Sequence, residues 1–120
     1  MKFLLVALGG ALGALSRLVV SEIMETSENN IFPFPTLLVN MAGCFAIGYL
    51  YNSMGSKYWL FSEPFLIVGF LGAFTTFSAF SKETLVLVNE GVITMAIFYV
   101  LISVLGCLLA TWLGMVLSAR

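Results

Sequence analysis

Phe77 and Phe80 stand three residues apart in Thr75-Thr76-Phe77-Ser78-Ala79-Phe80, so on a helix both rings share one face. The edge of an aromatic ring is electropositive, and two such edges can line a path for an anion while excluding water and cations; the same spacing also serves plain packing. Asn40, in Thr36-Leu-Leu-Val-Asn40-Met-Ala-Gly43, sits inside an apolar run and must hydrogen-bond there, either to a neighbouring helix or to an ion. Thr76 and Ser78 place hydroxyls beside the two rings. Tyr99, Ser103, Cys107 and Thr111 follow at four-residue steps, one helical stripe with three hydroxyls that either bond back to their own backbone or face an anion. Arg17 lies about seven residues before the end of its apolar run, where it either snorkels to the interface or draws an anion into a vestibule.

Other chemistry is missing. There is no histidine, and Cys44 and Cys107 fall in separate apolar runs, which suits small packing residues better than a disulfide or a metal centre. Glu22, Glu25, Glu28, Glu63, Glu83 and Glu90 all fall near expected helix ends, so none reads as an intramembrane proton carrier. No paired acids, nucleophile–base set or phosphate loop is present, which excludes the usual enzyme classes. A net charge of -1 without a basic cluster also excludes nucleic-acid binding.

These residues need a scaffold, and composition says which one. Of 120 residues, 61% are hydrophobic and 9% charged, with mean hydropathy +1.09, the range of integral membrane proteins. At roughly 20 apolar residues per crossing, four helices fill the chain and leave no room for a soluble domain. The expected spans cover about 2–24, 35–53, 62–89 and 91–117, one all-α domain. The first is a full-length span and not a cleaved signal peptide, because the apolar run resumes beyond Arg17. Pro35 suits a first helical turn, and Ser62-Glu63-Pro64 reads as a cap with an acid at the positive dipole end.

Within the third span, Gly69-Phe-Leu-Gly72-Ala-Phe-Thr75-Thr76 is poor material for a continuous helix, and a break inside a bilayer frees backbone groups that need new partners. Small residues at Gly9/Gly13, Gly10/Ala14 and Gly106/Ala110/Gly114 let helix backbones approach closely. Four thin, tightly packed helices enclose little aqueous space, so conduction calls for a second subunit. Lys2, Lys57 and Arg120 on one side nearly balance Arg17 and Lys82 on the other, a bias too small to fix one topology.

Gly9-Gly10-Ala-Leu-Gly13-Ala-Leu-Ser-Arg17, the Asn40 stretch and Gly69 to Phe80 together resemble, in order and spacing, the three signature stretches of the Fluc-type (CrcB-like) fluoride channels. The resemblance implies a dual-topology, antiparallel homodimer in the cell membrane, with two pores that pass fluoride out of the cytoplasm and reject chloride. Phe77 and Phe80 then correspond to the pair whose ring edges contact fluoride, Asn40 to the pore asparagine that donates to it, and Arg17 to the vestibule arginine. Gly72 and Thr75 correspond to the helix break whose carbonyls, two from each subunit, hold a structural Na⁺ on the two-fold axis. Ala79 stands where the family often has threonine, and Cys107 interrupts the hydroxyl stripe.

Two other classes share the outline. A small multidrug-resistance-type exporter has four helices and dual topology, but needs a carboxylate deep in its first helix, and Phe3 to Leu15 holds none. A non-conducting assembly subunit would explain the small-residue stripes and leave Asn40 and Thr75 to Ser78 without a use.

Overall fold

A computed structural model describes residues 1–24, 31–53 and 62–119. Among them four helical stretches are long and apolar enough to cross a membrane: Lys2–Met24, Phe34–Ser53, Glu63–Asn89 and Ile93–Ser118. The first two are the helices α1 and α2. The third begins as a π-helix, Glu63–Leu71, continues as α3 (Gly72–Phe74) and resumes as α4 (Phe77–Asn89); α5 is Ile93–Ser118. The loops expected around Glu25 to Asn30 and Lys57, and Arg120, lie outside the described residues.

Glycines decide which helices touch. A Cβ on Gly9 or Gly13 of α1 would run into the backbone carbonyls of Phe65 and Phe70, and one on Gly69 would come within 2.8 Å of Val6 O. Backbone therefore lies on backbone where α1 meets the π-helix, the close approach that substitutes for hydrophobic drive in lipid. A second glycine seam joins α2 to α5. Gly48 faces the Thr111 carbonyl, Gly114 faces Phe45 O and Tyr49 N, and Asn52 Nδ2 donates to Met115 O at 3.1 Å. Asn52 with Met115 and Gly48 with Thr111 share one offset of 63 residues, so these two helices run parallel and in register.

Leu37, Leu87, Ala96 and Tyr99 form the buried apolar cluster where α2, α4 and α5 converge. Most other large apolar side chains of α1 and α5, among them Leu12, Leu15, Leu105 and Leu108, are exposed, as suits surfaces that face lipid or another subunit.

The third span starts where expected but is wound differently, and the start of the fourth shifts. The third span does not open with a serine cap: Ser62 is helical and its side chain makes no capping bond, and the first turns are wound as a π-helix around Pro64. Pro64 cannot donate a backbone hydrogen bond, and the widened turns press their carbonyls onto the α1 glycines. The last span begins at Ile93, because Gly91 takes φ 80° and closes the turn after α4.

Candidate functional site

The site is built on two extended residues. Thr75 (φ -80°, ψ 156°) and Thr76 (φ -150°, ψ 118°) separate α3 from α4 in the middle of an apolar span. Their neighbours' hydrogen bonds are rerouted in a definite way. The Thr76 N–H, which in a continuous helix would donate to Gly72 O, donates to Asn40 Oδ1 at 2.7 Å. The Ala79 N–H, which would donate to Thr75 O, instead caps α4 through Thr76 Oγ1 at 3.2 Å. Gly72 and Thr75 are thus two residues whose carbonyls lose their helical donors to side chains.

Asn40 closes the exchange by donating Nδ2 to Thr76 O at 3.0 Å, so one amide satisfies both backbone groups of Thr76 from the neighbouring helix. That bond uses one of its two Nδ2 protons and leaves the second for another acceptor. Thr75 turns inward: its Oγ1 and its N–H both reach Leu71 O, at 2.9 and 3.0 Å, and its methyl packs on Gly43.

Buried Thr76 is shared by two cavities, one on each side of this clamp. One, of about 430 Å³, is lined by Arg17, Thr36, Thr76, Ala79 and Glu83, with Phe32 to Pro35 at its edge. It brings the single guanidinium of α1 into the same space as a carboxylate. The other, of about 350 Å³, is lined by Asn40, Thr75, Thr76, Phe77, Phe80 and Ser103, together with Cys44 and Cys107. Here the Phe77 and Phe80 rings lie 5.4 Å apart and tilted, and Phe80 continues to Tyr99 at 5.3 Å.

Ser103 is buried against this second cavity, and its Oγ is a buried side-chain oxygen with no partner in hydrogen-bonding geometry among the described residues. An unmatched hydroxyl costs about 1–3 kcal/mol in an apolar interior, so a polar occupant beside it is favoured.

The remaining residues singled out from sequence divide. Ser78 is exposed and shares a 3.2 Å contact with Thr76 Oγ1. The Tyr99 hydroxyl is committed to Glu83 Oε2 at 2.8 Å, so the upper stripe of α5 points at a carboxylate. Lower on the stripe, Thr111 Oγ1 donates back to Cys107 O at 3.0 Å, the ordinary use of a hydroxyl in a membrane helix.

Glu83 corrects the expectation that every carboxylate sits near a helix end. It lies midway along α4 and turns inward, accepting from Thr36 Oγ1 at 2.7 Å as well as from Tyr99. Its distance from Phe80 and Thr76, three and seven residues, puts it on their helical face, and that periodicity was the available signal. Thr36 was missed because its role exists only across two helices.

A match to the family model described as "CrcB-like protein, Camphor Resistance (CrcB)" covers residues 4–115. The chain belongs to the CrcB-like family. Its similar relatives include proteins named fluoride-specific ion channel FluC from Methylococcus capsulatus and Azotobacter vinelandii, each 46% identical over 96% of this chain. A third with that name, from Magnetococcus marinus, is 43% identical over 98%. The chain spans about half (51%) of the M. capsulatus protein but 94% of the A. vinelandii one and 98% of the M. marinus one. With four apolar spans, this CrcB-like chain is a multi-pass bacterial membrane protein.

Proposed function

We propose that this chain forms a passive channel selective for fluoride, which lets the ion leave the cytoplasm down its electrochemical gradient. The observation that carries the reading is the second cavity, where a spare Asn40 N–H, two phenylalanine rings and the unmatched Ser103 hydroxyl meet. These are donors and ring edges of the kind a small, hard, strongly hydrated anion needs in exchange for water. The relatives' printed names agree with that chemistry.

Selection follows from what the cavity lacks as well as what it offers. Glu83 is outside it, and Cys44, Cys107, Val104 and Leu108 complete its wall. Among the described residues, an anion there meets no carboxylate, and a hard cation meets no anionic oxygen ligand. Arg17 in the first cavity supplies the positive potential that draws anions toward the Thr76 clamp. Glu83, held by two hydroxyl donors, limits that attraction so that the ion is not trapped.

A second copy completes the pore. Phe77 is 77% exposed although it lines the cavity, so one subunit leaves the ion path open along its flank. Near balance of Lys2, Lys57 and Arg120 against Arg17 and Lys82 supports insertion in both orientations, hence an antiparallel homodimer with two pores in the lipid bilayer. Across such an axis the Gly72 and Thr75 carbonyls fit a structural Na⁺, since both have lost their helical donors and a hard monovalent cation takes oxygen ligands without needing a carboxylate. The ion would tie the two helix breaks together and take no part in permeation.

Purified protein in liposomes tests the reading. With a potassium ionophore carrying the counter-current, a fluoride gradient should discharge and a chloride gradient should persist. Equal chloride flux, or fluoride flux that requires a proton gradient, would overturn it; uptake of a cationic dye would point to the multidrug-exporter class.

A further inference from the structure

Cys44 and Cys107 serve only as wall in the fluoride path described above. The register of α2 against α5 nonetheless sets them opposite each other, one turn before the Gly48–Thr111 contact and with the same offset of 63 residues. At that contact the two backbones touch, and one turn away both cysteines line the same cavity. Both are free, half-buried and open onto the cavity that holds Asn40, Phe77 and Phe80.

We propose that Cys44 and Cys107 form a two-sulfur site for a soft monovalent d¹⁰ cation, the chemistry shared by Cu(I) and Ag⁺. Thiol sulfur selects such ions over the hard cations that oxygen ligands hold. Zinc is a poor fit, because it takes four ligands and no third histidine, cysteine or carboxylate joins this pair among the described residues. A cation that accepts two ligands needs only the two sulfurs already opposed across the helix seam. On binding, both thiols release their protons to solvent and coordinate as thiolates. The resulting unit carries a single negative charge shared by two sulfurs, on a wall that opens to the cavity. Metal-bound sulfur would then stand in the cavity beside the rings, and on the pore reading given above it would obstruct fluoride.

Titrating the purified protein with silver nitrate in chloride-free buffer, and counting the thiols still open to a maleimide, tests the site directly. One Ag⁺ per protomer should protect both cysteines, and Cys44→Ser or Cys107→Ser should each weaken binding by at least roughly a hundredfold, because either change removes half the ligand set. Wild-type affinity in one of those variants, or two silver ions per protomer, would overturn the pair and leave separate thiols. Flux separates this inference from the pore. Silver should slow fluoride efflux by wild type relative to its own silver-free rate, and much less in either serine variant. Stoichiometric binding with undiminished flux would uphold the site and contradict placing that cavity on the ion path.

Discussion

The protein contains two kinds of helix contact, and they differ in how they treat backbone polar groups. Along α1 and the π-helix, and again along α2 and α5, glycines bring carbonyls against Cα atoms while the helices run on without a break. At Thr75 and Thr76 the helix gives up its bonds and borrows partners from Asn40 and from the Thr76 hydroxyl. The first kind of contact is chiefly a matter of space, with Asn52 donating to Met115 O across the second seam. The second leaves the Gly72 and Thr75 carbonyls without their helical donors and an amide proton on Asn40 to spare. In lipid that is expensive unless an ion or a partner uses it. The seams hold the bundle, and on the proposed reading the break serves the ion.

That division can be broken from either side. The largest effect should come from Gly9→Leu, whose side chain would collide with the Phe65 carbonyl and the Phe70 backbone. Overpacking of this kind costs about 1–3 kcal/mol when side chains can yield, and backbone yields less. Folded protein should disappear from size-exclusion profiles, and recovery of a normal peak would show the α1 seam to be loose.

Phe77→Ile and Phe80→Ile act on the other side. A branched apolar side chain fills similar space without an electropositive edge, so fluoride flux should fall by roughly two- to tenfold with the elution profile unchanged. Phe77 is the cleaner probe because its ring is already exposed. Wild-type flux in both variants would return the rings to plain packing.

A smaller effect is expected from replacing Na⁺ by a bulky organic cation, which removes the proposed partner of the Gly72 and Thr75 carbonyls. Dimer stability or flux should decline gradually as Na⁺ is withdrawn, and indifference over the whole range would reject the site. The smallest belongs to Gly10→Ala. A methyl there meets nothing nearer than Gly69 O at 4.0 Å, and alanine favours helix by about 1 kcal/mol, so melting temperature should hold or rise slightly. A clear loss would mean that α1 packs through a wider face.

Much of this contrast was legible in the sequence, because its causes are local. Length and hydropathy indicated the four spans, small-residue spacing indicated Gly9, Gly13 and Gly114 as contacts, and Asn40 stood out because an amide inside an apolar helix needs a partner. Non-local features were hidden. Nothing in the order of residues shows that Asn40 addresses Thr76, that α2 and α5 share a register, or that Glu83 gathers Thr36 and Tyr99. The π-helix was also out of reach: Pro64 and Ser62 suggested an ordinary capped start, and the wide turns belong with a fit against α1 that only packing specifies.

Fluoride efflux from vesicles bearing Asn40→Asp tests most directly that the clamped break is the conducting site. The carboxylate keeps an acceptor for the Thr76 N–H but loses both Nδ2 protons and sets a negative charge against the anion. Like charges about 4 Å apart at an effective dielectric of 20 repel by about 4 kcal/mol, enough for at least a hundredfold loss of flux. The expected result is that loss from protein that elutes as wild type does. Undiminished fluoride efflux from the same folded variant would contradict it and place the ion path away from Asn40.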